Sequence, residues 1–515
     1  MGIPTKEVEL YTMDTISITF PQVKINVPLN DITFDTLEQM VFDITQRIGR
    51  KVIEKTLGDI DDILRVNRPE KVFENAGKRE KYFLTRLGDI RYERTRYIDK
   101  ASGASRYLLE EKLKIAKNQR ISLLRAKIEM LIASLTTYRS TEKDVELLTG
   151  YRRSHESIRQ SIIKEAERIV AYQESAIEKI RRLDDDKEPD TIHDIVYLES
   201  DSTFIRMQRR RKRRSGKISP RRRRKSIEVK LGIGYTDKVR RYVHGRTDAL
   251  KLKDKFTYVS IGSGRTFMES FSLIAEKKLG LSWARTVMFG GDGASYITSG
   301  IRDYFVNAIY KLCDFHLKRN IKRCLPFRPN AQDRINGLLK KDKIDKALSI
   351  LDRLAKQTSD RKDKLSIKEL YAYIGQNRDG INPINRIDDK AIRSRIKGTG
   401  AMESNVDKFL AHRFKKRGMS WSEKGALSLL KVKEVIANGE WESWWLERRG
   451  EKIEINSKPL KALSAEDFWE YGKPDHSLVE ANIPVLEGRD RNEQWAKVLK
   501  QLQEIDYYRP IGNTA

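Results

Sequence analysis

Residues 284–297 read ARTVMFGGDGASYI. An apolar run, Val287–Phe289, leads into two glycines, one aspartate and a third glycine. A short apolar run closed by a turn signal predicts a buried β-strand that stops abruptly. Asp292 then stands just past the strand's C-terminal end. Gly290 and Gly291 allow close backbone approaches that a Cβ would obstruct, and Gly293 lets the chain turn at once into the next segment. Asp-Gly is also an ordinary turn dipeptide. By itself the block leaves two readings open, a turn or a metal-binding carboxylate. No Gly-Lys-Ser/Thr follows, which excludes a Walker-type phosphate loop.

The flanking segments alternate strand and helix. HDIVYLESDSTFIRMQ (193–208), SIEVKLGIGYT (226–236) and KFTYVSIG (255–262) predict three strands, and a helix is expected over 265–279. The Asp292 strand is the fourth. A helix over 299–306 and a fifth strand, AIYKLCD (308–314), follow. Strand order β-β-β-α-β-α-β with a late helix is that of an RNase H-like core, which carries one acid on the first strand, one after the fourth and one on the late helix. Glu199 and Asp201 lie two residues apart on the first strand and share a face. Glu403 opens the late helix. Glu199 or Asp201 on the first strand, with Asp292 and Glu403, are therefore the candidate catalytic and metal-binding acids. Hard oxygen ligands from three segments suit two Mg²⁺ (or Mn²⁺) ions acting on a phosphodiester.

The 515 residues carry a formal net charge of +29, which points to a polyanionic partner. Thirteen Lys and Arg, with no acid, fall within RMQRRRKRRSGKISPRRRRK (206–225). Arg209, Arg210, Arg211, Arg213, Arg214, Arg221, Arg222 and Arg223 lie there, in the loop between the first two strands, and are expected to contact DNA phosphates. Arg413, Lys415, Lys416 and Arg417 on the late helix are expected to add to that surface. No run of about 18 apolar residues predicts a membrane span, and the N-terminus lacks a signal-peptide layout. With only Cys313 and Cys324, neither a disulfide framework nor a four-cysteine zinc site can form. A cytoplasmic, nucleoid-associated protein is expected.

Upstream, residues 36–66 carry apolar positions at helical spacing (Val41, Ile44, Ile48, Val52, Ile60, Leu64), interrupted at Gly58. Residues 81–111 predict an antiparallel meander with turns at Gly88-Asp89 and 99–103. Its Tyr82, Tyr92 and Tyr97, mixed with Arg86, Arg91, Arg94 and Arg96, suit either a nucleic-acid surface or an ordinary amphipathic sheet. Helix-turn-helix form follows: Thr141–Leu148, a stop at Thr149-Gly150, and a second helix capped by Ser154 with Ile158, Ile162 and Ile163 inward. Arg153, His155, Arg159 and Gln160 would face DNA, with Arg153 and Arg159 as its main contacts.

The expected organisation is an N-terminal helical and β region (1–120), the helix-turn-helix (121–182), an acidic linker (183–190) and a first core part (191–320). A helical insertion (321–395), the last core helices (396–440) and a Trp-rich tail (441–515) complete it. The late helices are expected to show a capping box at Ser420–Glu423 and a stop at Gly439.

YLESDSTF (197–204), FGGDGASYI (289–297), CDFHLKRN (313–320) and GTGAMESNVDKFLAHRFKKRGMSWSEKGA (398–426) together resemble DDE-type prokaryotic insertion-sequence transposases. The nearest group carries a Gly-Asp-Gly-Ala block and is allied to the Mutator-like transposases. The likeness covers most of residues 35–440, and its last motif is the most specific. It implies an RNase H-like domain with a helical insertion before the final Glu, and 111 positions separate Asp292 from Glu403. It implies Asp201, Asp292 and Glu403 as the acid triad, with Glu199 as a neighbour of the first. It matches Cys313 and His316 to a Cys-x-x-His near the site. Implied partners are double-stranded DNA, at element ends and target, and a second copy of the chain, as a homodimer or larger synaptic assembly. Another RNase H-like nuclease, or a DNA-binding regulator or inactive copy, are the alternatives.

Overall fold

The computed structural model describes residues 33–182, 192–208, 226–243, 246–305 and 307–449. Among them ten strands run in chain order: β1 (Phe73–Thr85), β2 (Gly88–Asp99), β3 (Ser105–Arg106), β4 (Ile195–Arg206), β5 (Ser226–Tyr235), β6 (Asp237–Val243), β7 (Arg246–Lys253), β8 (Phe256–Ser260), β9 (Thr286–Gly291) and β10 (Ala308–Leu312). The fold is mixed α/β.

Its centre is a five-stranded mixed sheet in the order β10-β9-β4-β5-β8. β4, β9 and β10 are parallel, while β5 pairs antiparallel with both β4 and β8. Strands buried on both faces read as continuous apolar runs. All six residues of β9 and the first six of β4 are buried, which is why Val287–Phe289 shows no alternation. On one face Val196, Leu198, Val287 and Phe289 pack against Phe267, Phe271, Ile297 and Ile301. Those partners come from the Gly264–Leu279 and Ser295–Tyr304 helices. The latter starts four residues earlier than its periodicity implied, directly after the Asp292 turn.

The free edge of β8 is closed by the Glu423–Ala437 helix. An uncovered edge strand would present unpaired backbone groups. Asn438 accepts from Thr257 N at 2.8 Å and donates to Thr257 O at 3.0 Å, imitating a neighbouring strand. Glu434 accepts from Val259 N at 2.9 Å and pairs with Lys431, also at 2.9 Å. Ser422 caps this helix by accepting from Gly425 N, so the expected cap at Ser420 shifts by two residues. Gly439 follows the helix with φ +71°, the left-handed stop expected.

Between β10 and the late helix, four helices (Asp314–Cys324, Pro329–Lys340, Ile344–Gln357, Arg361–Gln376) bury a core of their own, centred on Ile321, Ile335, Leu351 and Ile374. The helical segment expected from residue 321 thus begins at Asp314.

At the N-terminal end, the Phe34–Val66 helix runs unbroken through Gly58, contrary to expectation. Nothing lies within 4 Å of the Cβ position there, so Gly58 costs only its propensity, about 1 kcal/mol. The helix packs Leu57 and Leu64 on the β1-β2-β3 antiparallel sheet. The meander turns at Gly88 as predicted, but Leu108–Lys112 is a short helix rather than strand. Tyr92 and Tyr97 are core residues, and of the three tyrosines only Tyr82 is exposed, with Arg91 over its ring at 5.7 Å. A nucleic-acid face built on all three is therefore ruled out.

Helices Leu123–Leu135, Tyr138–Thr149 and His155–Arg181 follow. Thr137 caps the second, which starts at Tyr138, three residues ahead of the expected start, and Gly150 ends it at φ +70°. Ser154 caps the third, and Ile158, Ile162 and Ile163 are buried as expected. The compact body continues past residue 440: Trp441, Trp444 and Trp445 are buried on the Trp441–Arg449 helix, and Trp444 donates to Glu165 at 3.0 Å. The 183–190 linker, most of the basic run, Trp469 and Trp495 lie outside the described residues. The β6–β7 hairpin, with Asp237 opposite Lys253, was not foreseen. Among the described residues no helix is long and apolar enough to cross a membrane.

Asn438→Ala removes both bonds to Thr257 and strands its backbone groups at a covered edge. A loss of about 1–3 kcal/mol is expected in urea unfolding, against little change for the exposed Lys416→Ala.

Candidate metal centre

The register of β4 on β9 builds the site. Glu199 pairs with Gly290, the penultimate residue of β9, so Asp201 lies beyond the last paired position, beside Asp292. Asp201, Asp292 and His316 offer ligand atoms that all lie within 4.8 Å of one another, and so do Cys313, His316 and Glu403. Asp201, Asp292, Cys313, His316 and Glu403 line one small cleft. The three acids expected from β4, the end of β9 and the late helix are thus brought together, with His316 between them.

Each side chain is held by local structure. Asp201 accepts from its neighbour Ser202 N at 2.7 Å. Asp292 Oδ1 accepts from Ala294 N at 2.9 Å, closing the turn that Gly293 permits at φ +89°. A Cβ on Gly290 would sit 3.1 Å from Thr399 and 3.2 Å from Glu199 Cγ, so the late segment can approach β9 only over glycine. The helical insertion buttresses the turn: Tyr373 OH donates to the Asp292 carbonyl at 2.8 Å, and Tyr310 OH donates to Asn377 at 3.1 Å. Tyr310, Tyr373 and Asn377 gave no sequence signal, because a hydroxyl that braces a backbone carbonyl has no characteristic spacing.

Glu199 has a different task from Asp201. It is buried, accepts from Tyr235 OH at 2.6 Å, and receives the backbone N–H groups of Gly400, Ala401 and Met402 at 3.0–3.1 Å. Its carboxylate fastens the start of the Glu403 helix to the sheet. Glu199, which also lines the cleft, thus anchors the segment that carries Glu403. That helical run, Met402–Phe414, contains a π-turn over Val406–Ala411.

Burial and the nearby carboxylates of Asp292 and Glu403 push Asp201 up to about 6, against the lowering influence of His316. Crowded carboxylates of this kind mark a place that favours positive charge. The Cys313 thiol donates to Glu403 Oε1 at 2.7 Å, and burial together with that bond pushes it up to about 12. His316 Nδ1 is buried without a hydrogen-bond partner, 3.6 Å from Glu403 Oε1. An oxygen-rich set with one imidazole fits Mg²⁺ or Mn²⁺. A protonated thiol suits a hydrogen-bond donor better than a zinc ligand.

The residues expected to meet DNA divide. Arg153 is tied to Glu129 and donates to Ser161 at 2.6 Å, so it holds helices together rather than facing outward. Arg159 is paired with Glu156 at 2.7 Å on a partly exposed face. Arg413 is 2 % exposed and belongs to no exposed basic face. Lys415 and Lys416 are exposed, with Lys415 donating to Thr203 on β4. The Arg417 side chain and Arg209, Arg210, Arg211, Arg213, Arg214, Arg221, Arg222 and Arg223 lie outside the described residues.

Fold and site together define a mixed α/β protein with a carboxylate-rich candidate centre at the C-terminal ends of parallel strands, where open α/β sheets commonly place their ligands. Residues 28–449 match the model of an uncharacterised protein family, UPF0236, and the chain belongs to that family. A UPF0236 protein of Caldanaerobacter subterraneus subsp. tengcongensis is 23% identical over 439 residues, covering 84% of this chain and 83% of its own, and its name joins eleven locus designations. A second from that organism, 24% identical over 430 residues (81% and 80% of the two chains), joins four. A UPF0236 protein in the vanSb 3′ region of Streptococcus gallolyticus is 22% identical over 414 residues, 78% of this chain and 81% of its own.

Two outcomes follow for the metal-free protein. Asp201 has a folded pKa of about 6 against an ordinary 3.8, so its protonated form stabilises the fold. That stability is complete below about pH 4 and is lost as pH rises through 6, by on the order of 3 kcal/mol. Asp201→Asn should therefore exceed the parent in stability at pH 7 but not at pH 4, in urea titrations with EDTA. Glu199→Gln should destabilise at both pH values by roughly 2–4 kcal/mol, because an amide cannot accept from every donor now facing it.

Proposed function

We propose that this protein is a DDE-type transposase, which binds the ends of its own mobile element and catalyses metal-dependent cleavage and transfer of DNA strands. The observation that carries the reading is the convergence of Asp201, Asp292 and Glu403, from three distant segments, on one cleft around His316. The sheet supports it. Numbered from β4 within the sheet, the order is 5-4-1-2-3 with only the second strand antiparallel, the arrangement expected of an RNase H-like core. The inserted helices before Glu403 and the +29 charge are in keeping with it. So is the repetition of single relatives across eleven and four loci of one genome, which is what a gene that copies or moves itself produces.

Asp201, Asp292 and Glu403 would hold two Mg²⁺ or Mn²⁺ ions, which when bound lower the pKa of an attacking hydroxyl and neutralise charge on the leaving oxygen. The chain's own part is placement. Glu199 fixes the height of Glu403 above the sheet, and Tyr373 fixes the Asp292 turn. His316, between the acids, can donate to a non-bridging phosphate oxygen. In cleavage, a water oxygen bonds to phosphorus and the P–O3′ bond breaks, leaving a 3′-hydroxyl and a 5′-phosphate. In strand transfer that 3′-hydroxyl bonds to a target phosphorus, and the target's own P–O3′ bond breaks. Both element ends must be present together, so the working form is a homodimer or larger assembly on DNA. The expected location is the nucleoid.

Asp292→Asn should abolish Mg²⁺-dependent nicking and joining of duplexes that carry the element's ends while leaving end binding within about two-fold of the parent. Joined products from the Asn variant would sink the assignment. Hydrolysis by the parent protein without any joining would favour a nuclease instead.

A further inference from the structure

A second cavity, of about 540 Å³, lies where the late segment meets the N-terminal helices. Thr137, Tyr138, Arg159, Arg413, Trp421 and Ser422 contribute to its wall. Thr137 and Ser422 are the N-caps of helices of 12 and 15 residues. The first-turn N–H groups of a helix have no partners within it, and its N-terminus carries partial positive charge. Two such ends therefore border one space.

The independent observation is Arg413. It is 2 % exposed, yet no carboxylate pairs with it among the described residues. Nε donates to Ala133 O at 3.1 Å and Nη1 to Met419 Sδ at 3.3 Å, while the guanidinium lies over Trp421 and Tyr138 at 4.9 and 5.4 Å. Nη2 has no partner, and neither has the buried Tyr138 hydroxyl beside it. Lys433 also donates into the same helix end, to Ser134 O at 3.2 Å. The C-terminal carbonyls of the Leu123–Leu135 helix thus hold one buried and one half-buried cation in place without cancelling their charge. The acid at the cavity, Glu156, is already spent on Arg159 in a two-point pair. A cavity walled by a buried guanidinium and a phenol whose hydrogen-bonding capacity is unmet, and bordered by two helix N-termini, suits an anion of tetrahedral oxygens.

We infer that this cavity is a phosphate-binding site that grips a backbone phosphodiester of DNA away from the cut. The choice of DNA rests on the transposase reading and on position. β4 carries Asp201 and continues through the Met207–Trp421 bridge to Gln208, which lines the cavity and lies within the arginine-rich run. Gln208 lies seven residue steps along extended chain from Asp201, a span of about 23 Å. The site therefore reaches a phosphate well outside the cleaved step and adds affinity without reading sequence.

The test uses the full chain in EDTA and a fluorescein-labelled duplex, with anisotropy measured across a salt series. Arg413→Met should weaken binding about ten-fold at fixed salt and reduce the slope of log affinity against log salt by about one, while Arg413→Lys keeps the slope. Melting temperature is followed in parallel, and exchange of a buried unpaired charge for an apolar chain of similar length should not lower it much. Parental affinity and slope in a folded Arg413→Met variant overturn the inference. Should that variant fail to fold, Tyr138→Phe, which removes one hydroxyl, decides: binding two- to three-fold weaker supports the site, and unchanged binding overturns it. If Arg413→Met weakens binding but the parent never cleaves, the phosphate site stands and the transposase reading falls. Cleavage with binding unaltered in the variant gives the reverse.

Discussion

The candidate site depends on one buried carboxylate whose oxygens are taken up by hydrogen bonds within the fold. Glu199 sits inside the sheet, where β4 and β9 are still paired, and gathers Tyr235 OH and three consecutive backbone N–H groups. A carboxylate fully supplied with donors is stable in a low dielectric, where an unpaired one would not be. By taking the N–H groups of Gly400, Ala401 and Met402 it acts as an N-cap delivered from another element. The helix that bears Glu403 therefore starts at a height set by the sheet and not by its own loop. Asp201, two residues along the same face, inherits the opposite environment: past the end of β9, crowded by other carboxylates, and short of donors.

That division of labour explains what was legible in the sequence. The five strands and the Asp292 turn are local features, written in apolar runs and glycine, and they were read closely. The three acids were legible because the order of elements restricts where strand ends can meet. The role of Glu199 was not, since the alternation that puts it on the face of Asp201 is silent about how far β9 extends. The bracing hydroxyls of Tyr310 and Tyr373 come from segments 18 and 81 residues beyond Asp292, and nothing in their spacing couples them to it.

Basic residues were the least legible class. Charge alone suggests a solvated surface, but Arg153 ends as a clasp between helices and Arg413 as a buried cation on a helix C-terminus. Tyr92 and Tyr97 show the same limit for aromatics, which a pattern of alternating Tyr and Arg offered as a binding face and packing claimed for the core. Lys415 differs: it is exposed, and its ammonium donates to Thr203 on β4, two residues past Asp201.

The π-turn at Val406–Ala411 lies between Glu403, at the acids, and Arg413, at the second cavity. A π-turn holds one residue more than the α-turn it replaces and so changes the angular phase of everything after it. One end of the run can then face the sheet while the other turns its guanidinium in among the N-terminal helices. The extra residue works as a phase shifter, setting the carboxylate cleft and the second cavity at a fixed rotation on a single rod. Any motion that relaxed it to ordinary α-helix would throw one site out of alignment with the other.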